Sequence, residues 1–96
     1  MTGKRSYIGG LYAYRLSFGE VCGLCTHEVV DGWGPHMGQF VRFFQGVDDT
    51  APSDKHVILA RPILNSTFVY LPGMVSNKVA RRLAKVDVPD HLAATP

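Results

Sequence analysis

Long apolar runs, catalytic signatures and clustered metal ligands are all scarce in this chain of 96 residues. No window approaches the ~18–20 consecutive apolar residues that span a bilayer. The basic opening, MTGKRSYIGG, is not followed by the apolar stretch of a secretory signal. The expectation is a cytoplasmic protein with no membrane association. Only two cysteines occur, and in a reducing compartment such thiols stay free unless they are catalytic or hold metal. No G-x-S-x-G, Walker loop or H-E-x-x-H motif is present. His27, His36, His56 and His91 are scattered, and nothing pairs Ser17, Ser66 or Thr67 with a base. A non-enzyme is expected. The minor alternative is a hydrolase whose residues converge only in three dimensions.

What remains is an ordinary globular composition, 46% hydrophobic and 19% charged. The length suits one domain over residues 1–96 with a single modest core. Residues 1–5 and 90–96 read as loose tails. The formal net charge is +2 and the pI about 8.7, too little basicity to mark a nucleic-acid partner by charge alone. The charge is unevenly placed. VDDTAPSD, residues 47–54, holds three aspartates and no base, whereas KVARRLAK, residues 78–85, holds four bases and no acid. Such a bipolar surface suits a protein partner.

From Tyr7 to Val30 the sequence reads as two strands joined at Ser17–Glu20, with Gly19 supplying the turn. DGWGPHMG, residues 31–38, is a loop by its three glycines and proline. Gln39–Phe44 is a buried aromatic strand, and 46–56 a polar loop. HVILARPILNSTFVYL predicts two further strands broken at Arg61-Pro62. Val79, Leu83 and Val86 fall near one helical face, with Lys78, Arg82 and Lys85 opposite, which predicts a helix over 77–86. The fold class is therefore mainly β (α+β): a small, strongly bent antiparallel sheet or partly open SH3-like barrel with one short C-terminal helix.

The stretch EVCGLCTHEV, residues 20–29, holds both cysteines. Cys22 and Cys25 have zinc-ligand spacing, and His27 and His36 are conceivable further ligands. A regular strand, however, sends residues three apart to opposite faces, and no second close ligand pair completes a tandem signature. A redox pair would open a helix, which the downstream residues do not favour. These are expected to be packing thiols, with no metal and no cofactor.

Other residues invite a binding role. Trp33 sits in the glycine-rich loop beside His36, where a large aromatic can anchor an interface. Asp48, Asp49 and Asp54 lack the ligand rhythm of a calcium loop and read as a charged surface. Tyr12, Tyr14, Phe40, Phe43 and Phe44 are most simply core. If exposed, Tyr12 and Tyr14 with Arg15 and Arg42 would make a small-barrel nucleic-acid surface, the further alternative. Arg81, Arg82 and Lys85 form a second-choice binding face.

Taken in order, GGLYAYRLSFGEVCGLC, QFVRFFQGVDDTAPSD, ARPILNSTFVY and ARRLAKVDVPDHLAATP resemble the immunity protein 26 family of bacterial polymorphic-toxin systems. The likeness covers most of residues 9–96. This chain lacks the family pattern's late tryptophan near residue 82 and carries CGLC as its own feature. The resemblance implies a non-catalytic inhibitor that neutralises a toxin by direct binding, and it brings no catalytic residues. From the residues themselves, the expected partner-binding set is Trp33, His36, Asp48, Asp49 and Asp54. A phage or mobile-element anti-defence inhibitor is the alternative with the same features.

Overall fold

The computed structural model describes residues 7–29 and 38–93. Five antiparallel strands form one open sheet: β1 (Gly10–Leu16), β2 (Gly19–Val29), β3 (Gly38–Phe44), β4 (Ile63–Val69) and β5 (Ala80–Lys85). Their order is β4-β3-β2-β1-β5. The first four run as a meander, and β5 returns to pair with β1. This is the mainly β architecture that the sequence implies. Two short helices, α1 (Lys55–Leu59) and α2 (Leu71–Ser76), join the later strands. Among the described residues no helix is long and apolar enough to cross a membrane.

Both faces of the sheet are packed, so alternation along a strand separates two half-cores rather than core from solvent. Leu11, Ala13, Cys22, Leu24 and Phe44 pack on one face with Ala51, Ile58 of α1 and Leu92. Tyr12, Tyr14, Cys25 and Val41 pack on the other with Leu71 of α2 and Ala80. Gly23 sits against the second face, beside Val41, Tyr14 and Phe43. A Cβ there would stand 2.6 Å from Val41 Cγ1 and 3.0 Å from Tyr14 Cε1. The absence of a side chain lets the Tyr14 and Phe43 rings meet edge to face at 5.0 Å.

Three expectations need correction. The helix over 77–86 is instead strand β5, preceded by α2 and by Lys78 in a left-handed conformation (φ 61°). Its register against β1 shifts between Leu11 and Tyr12, where β5 carries an extra residue at Leu83. One extra residue changes a spacing of two into three, which imitates helical periodicity. The unpaired edge of β1 supplied the tertiary partner that decides for a strand. HVIL is likewise helical, not extended, because Asp54 caps α1: its Oδ1 accepts from the His56 N–H at 2.9 Å. The tail is not loose as far as residue 93. Asp90–Leu92 form a 3₁₀ turn, Leu92 is buried, and Arg42 Nε donates to its carbonyl at 3.0 Å. His27 Nε2 donates to the Ala93 carbonyl at 3.2 Å. On the ring's other side, Nδ1 lies 2.9 Å from Thr26 Oγ1, a hydroxyl that can donate or accept. Residues 1–5 lie outside the described residues.

Candidate functional site

The two cysteines answer the first chemical question. Cys22 pairs across from Ala13 and packs in one half-core; Cys25 pairs across from Val41 and packs in the other. Their sulfurs therefore occupy opposite faces of the sheet. Both are free and buried. Burial pushes the Cys22 thiol up and raises Cys25 to about 12, which makes both poor nucleophiles. Among the described residues no group of three or more His, Cys, Asp or Glu side chains is placed to hold a metal ion.

The acidic loop is largely occupied with its own structure. Asp48 forms a two-pronged ion pair with Arg61, at 2.8 and 3.2 Å. The Arg61 guanidinium holds the Asp48 carboxyl below its ordinary range. Asp54 is the α1 cap described above. Asp49 and Asp54 are exposed and Asp48 is half-buried. Trp33 and His36 lie outside the described residues. The second-choice set is split as well: Arg81 pairs with Glu20, Arg82 projects to the other face of β5, and Lys85 lines a separate shallow groove with Lys55, His56 and Asp87. For a nucleic-acid surface, Tyr12 and Tyr14 are buried and Arg42 lies over the Phe40 ring, 5.1 Å from its centroid. Of those four residues, Arg15 is the exposed one.

A different surface brings binding residues together: the end of the sheet at the β1–β2 turn. Leu16 and Gly19 face each other across the turn, which puts Ser17 and Phe18 at its tip. Gly19 has φ +145°, and a Cβ there would be 2.6 Å from the Asp48 carbonyl oxygen. That close approach lets the 47–51 segment lie along the start of β2. Glu20 and Asp48 exchange backbone hydrogen bonds, Glu20 N–H to Asp48 at 2.6 Å and Asp48 N–H to Glu20 at 2.9 Å.

Glu20 is the brace beneath this end. It is buried, yet its carboxylate is fully engaged: Oε1 accepts from the Ala51 N–H and from Arg81 Nη2, both at 2.8 Å, and Oε2 accepts from Arg81 Nε at 3.3 Å. The Arg81 fork, then the Ala51 N–H, hold its pKa below the usual carboxylate value. Above the brace is an open cleft of about 380 Å³ lined by Arg15, Leu16, Glu20, Asp49, Thr50 and Arg81. Large apolar side chains are exposed at the same end of the sheet. Phe18 is 69% exposed, and Leu16, Val47 and Val79 are exposed as well. Val47 is in reach of Gly19, and the Val79 carbonyl accepts from the Arg15 N–H at 2.8 Å.

The arrangement offers an aromatic projection, exposed aliphatic side chains, two guanidinium groups, the Asp49 carboxylate and a hydroxyl on a braced scaffold. Those are tools of recognition; aromatics and arginine are the residue types that dominate protein interfaces. Two features of the sequence signal it: large apolar residues on both sides of Ser17 in a turn, and an acid, Glu20, near the start of an otherwise apolar strand. No protein-family model, no characterised protein and no solved structure matches the chain, so the family resemblance rests on the quoted motifs.

Proposed function

We propose that this protein is a non-catalytic inhibitor that acts by binding another protein, an immunity protein of the kind its motifs resemble, and that the β1–β2 turn end is its docking surface. The observation that carries the reading is the exposure of Phe18, with Leu16, Val47 and Val79, beside Arg15 and Arg81. A solvent-exposed phenylalanine at a tight turn contributes nothing to the monomer's core and presents a large apolar area to a partner. The rigid base supports it: the Glu20 and Asp48 ion pairs and the paired backbone at Glu20 and Asp48 hold the turn and the 47–51 segment in one geometry. A preorganised surface loses little ordering entropy on association.

This surface keeps the first part of the acidic loop, with Val47, Asp49 and Thr50, and adds the β1–β2 turn and Arg81, while Asp48 and Asp54 serve the fold. The complementary partner has an apolar recess for Phe18 and acidic groups facing Arg15 and Arg81. The test is co-expression with the product of any toxin gene found adjacent to this one, scoring growth and complex formation. Wild-type protein should protect and co-purify. Phe18→Ser should weaken binding by ~2 kcal/mol, roughly thirtyfold, and Arg15→Glu should slow association most at low salt. Failure of the wild type to protect or bind overturns the inhibitor reading. Full protection by both variants keeps inhibition but moves the docking surface elsewhere.

A further inference from the structure

Arg15, Glu20 and Arg81 share one face of the sheet at the turn end. Arg15 stands across from Glu20, and Arg81 stands across from Ala13, two residues before Arg15 on β1. Strand alternation therefore sends all three side chains the same way. Arg15 and Arg81 line the cleft from the strand ends, and Asp49 and Thr50 line it from the 47–51 segment. Glu20 between them is fully engaged by Arg81 and the Ala51 N–H. Two opposite charges are left over. Arg15 and Asp49 are both exposed, and among the described residues neither side chain joins a hydrogen bond or an ion pair. The cleft thus has a basic wall and an acidic wall, and its fixed charges cancel: Arg15 and Arg81 against Glu20 and Asp49. That balance disfavours a lone anion, because Asp49 repels what Arg15 attracts.

We infer that this cleft takes a bipolar segment of the partner protein, with an acidic side chain on Arg15 and Arg81 and a neighbouring basic side chain on Asp49. The inference rests on the docking surface proposed above and names the partner chemistry which that surface selects. A guanidinium carries five donors. Arg81 uses its Nε and Nη2 on Glu20, and its side chain is half exposed, so the outer donors face the cleft's solvent. A carboxylate has about four acceptor sites, enough to bridge Arg15 and Arg81. On the other wall the Asp49 carboxylate accepts, and the Thr50 hydroxyl donates or accepts, which suits an ammonium or guanidinium group. A volume of about 380 Å³ is that of a small-ligand cleft and holds two side-chain heads. Charges then alternate from Glu20 through Arg81 to the partner's acid and Arg15, with the partner's base on Asp49. The reverse polarity sets acid against Asp49 and base against Arg15. The cleft therefore fixes the direction of the partner segment, which the apolar contact at Phe18 does not.

NMR titration with end-blocked tripeptides reads the cleft without the whole partner. The peptides are Glu-Gly-Lys, Glu-Gly-Gln, Gln-Gly-Lys and Gln-Gly-Gln, added at low salt up to high millimolar concentration. Glu-Gly-Lys should shift the resonances of Arg15, Asp49, Thr50 and Arg81, and bind roughly threefold tighter than either singly charged peptide. Arg15→Gln and Asp49→Asn should each remove that advantage, and added salt should shrink it. Both residues are exposed, so thermal melts of the variants should stay near wild type. In the complex with the neutralised protein, each variant should weaken binding by a similar factor. Glu-Gly-Gln binding as tightly as Glu-Gly-Lys overturns the inference in favour of a plain anion site. Absence of shifts at the cleft with every peptide overturns it as well. The two readings fail separately. A complex weakened by Phe18→Ser but indifferent to Arg15→Gln and Asp49→Asn keeps the docking surface and overturns the bipolar cleft. Peptide selectivity at the cleft in a protein that neutralises nothing supports the cleft's chemistry and overturns the inhibitor reading.

Discussion

Removing the Glu20 carboxylate tests the brace under the proposed surface. In Glu20→Ala the Ala51 N–H loses its acceptor in a buried position, which costs about 1–3 kcal/mol. The Arg81 side chain is half exposed, so the lost ion pair adds only about 0–1 kcal/mol after solvent screening. Together they predict a loss of about 1–4 kcal/mol, a melting temperature lower by about 4–30 °C for a domain of this size. Glu20→Gln keeps an amide oxygen for the Ala51 N–H and removes the charge, so its loss should be about 1 kcal/mol or less at neutral pH. The pH dependence has a definite sign. Because the native carboxyl is held below its ordinary value of 4.5, the unfolded chain takes up the proton first as pH falls. The stabilisation is thus complete above the ordinary carboxylate range and is lost as pH falls through the native pKa. Thermal melts of wild type and Glu20→Gln should therefore converge as pH falls below the ordinary carboxylate range. Asp48, shifted the same way, should leave some acid sensitivity in both. A Glu20→Ala protein that melts within a few degrees of wild type would refute the brace, as would a gap to Glu20→Gln that widens in acid.

Three more outcomes follow from the packing. Gly23→Ala forces a methyl against Val41, Tyr14 and Phe43 and should cost about 1–3 kcal/mol by denaturant titration; an unchanged midpoint would mean the half-core is looser than described. Cys22 and Cys25 should resist a thiol reagent at pH 8 in the native protein and react fully once unfolded, because both are buried with raised pKa values; immediate reaction of either native thiol, or a zinc ion bound by both, would contradict their placement on opposite faces. Leu92→Ala should lower stability by about 2–5 kcal/mol, since Leu92 closes the first half-core; no effect would return residues 90–93 to the status of a loose tail.

How far the sequence foretold this structure depended on what each signal needed from elsewhere in the chain. β1, β2 and β3 were legible because their signals are local: Gly19 at a turn, dense aromatics and β-branched residues between glycines. The opposite facing of Cys22 and Cys25 followed from strand periodicity alone. β5 was not legible, because its apolar spacing is set by the extra residue at Leu83 and its pairing by β1, some seventy residues earlier in sequence. α1 turns on one cap, Asp54, whose charge in a polar stretch reads equally well as part of a binding loop. The same confusion governed the site. Asp48 and Asp54 were visible as charges, but their consumption by Arg61 and the His56 N–H is a tertiary fact. Phe18 was hidden by the opposite bias, that a turn is only a connection.

The most direct test of the account is hydrogen–deuterium exchange on the complex with the neutralised protein, compared with the free protein. The β1–β2 turn end makes a sharp prediction: new protection at residues 15–20 and 47–51 and at the start of β5, with the centre of the sheet unchanged. Loss of that protection in Phe18→Ser would tie it to the anchor. Protection confined to residues 30–37, to the β4 edge or to the groove beside Lys85, with the turn end exchanging as in the free protein, would contradict the proposed docking surface.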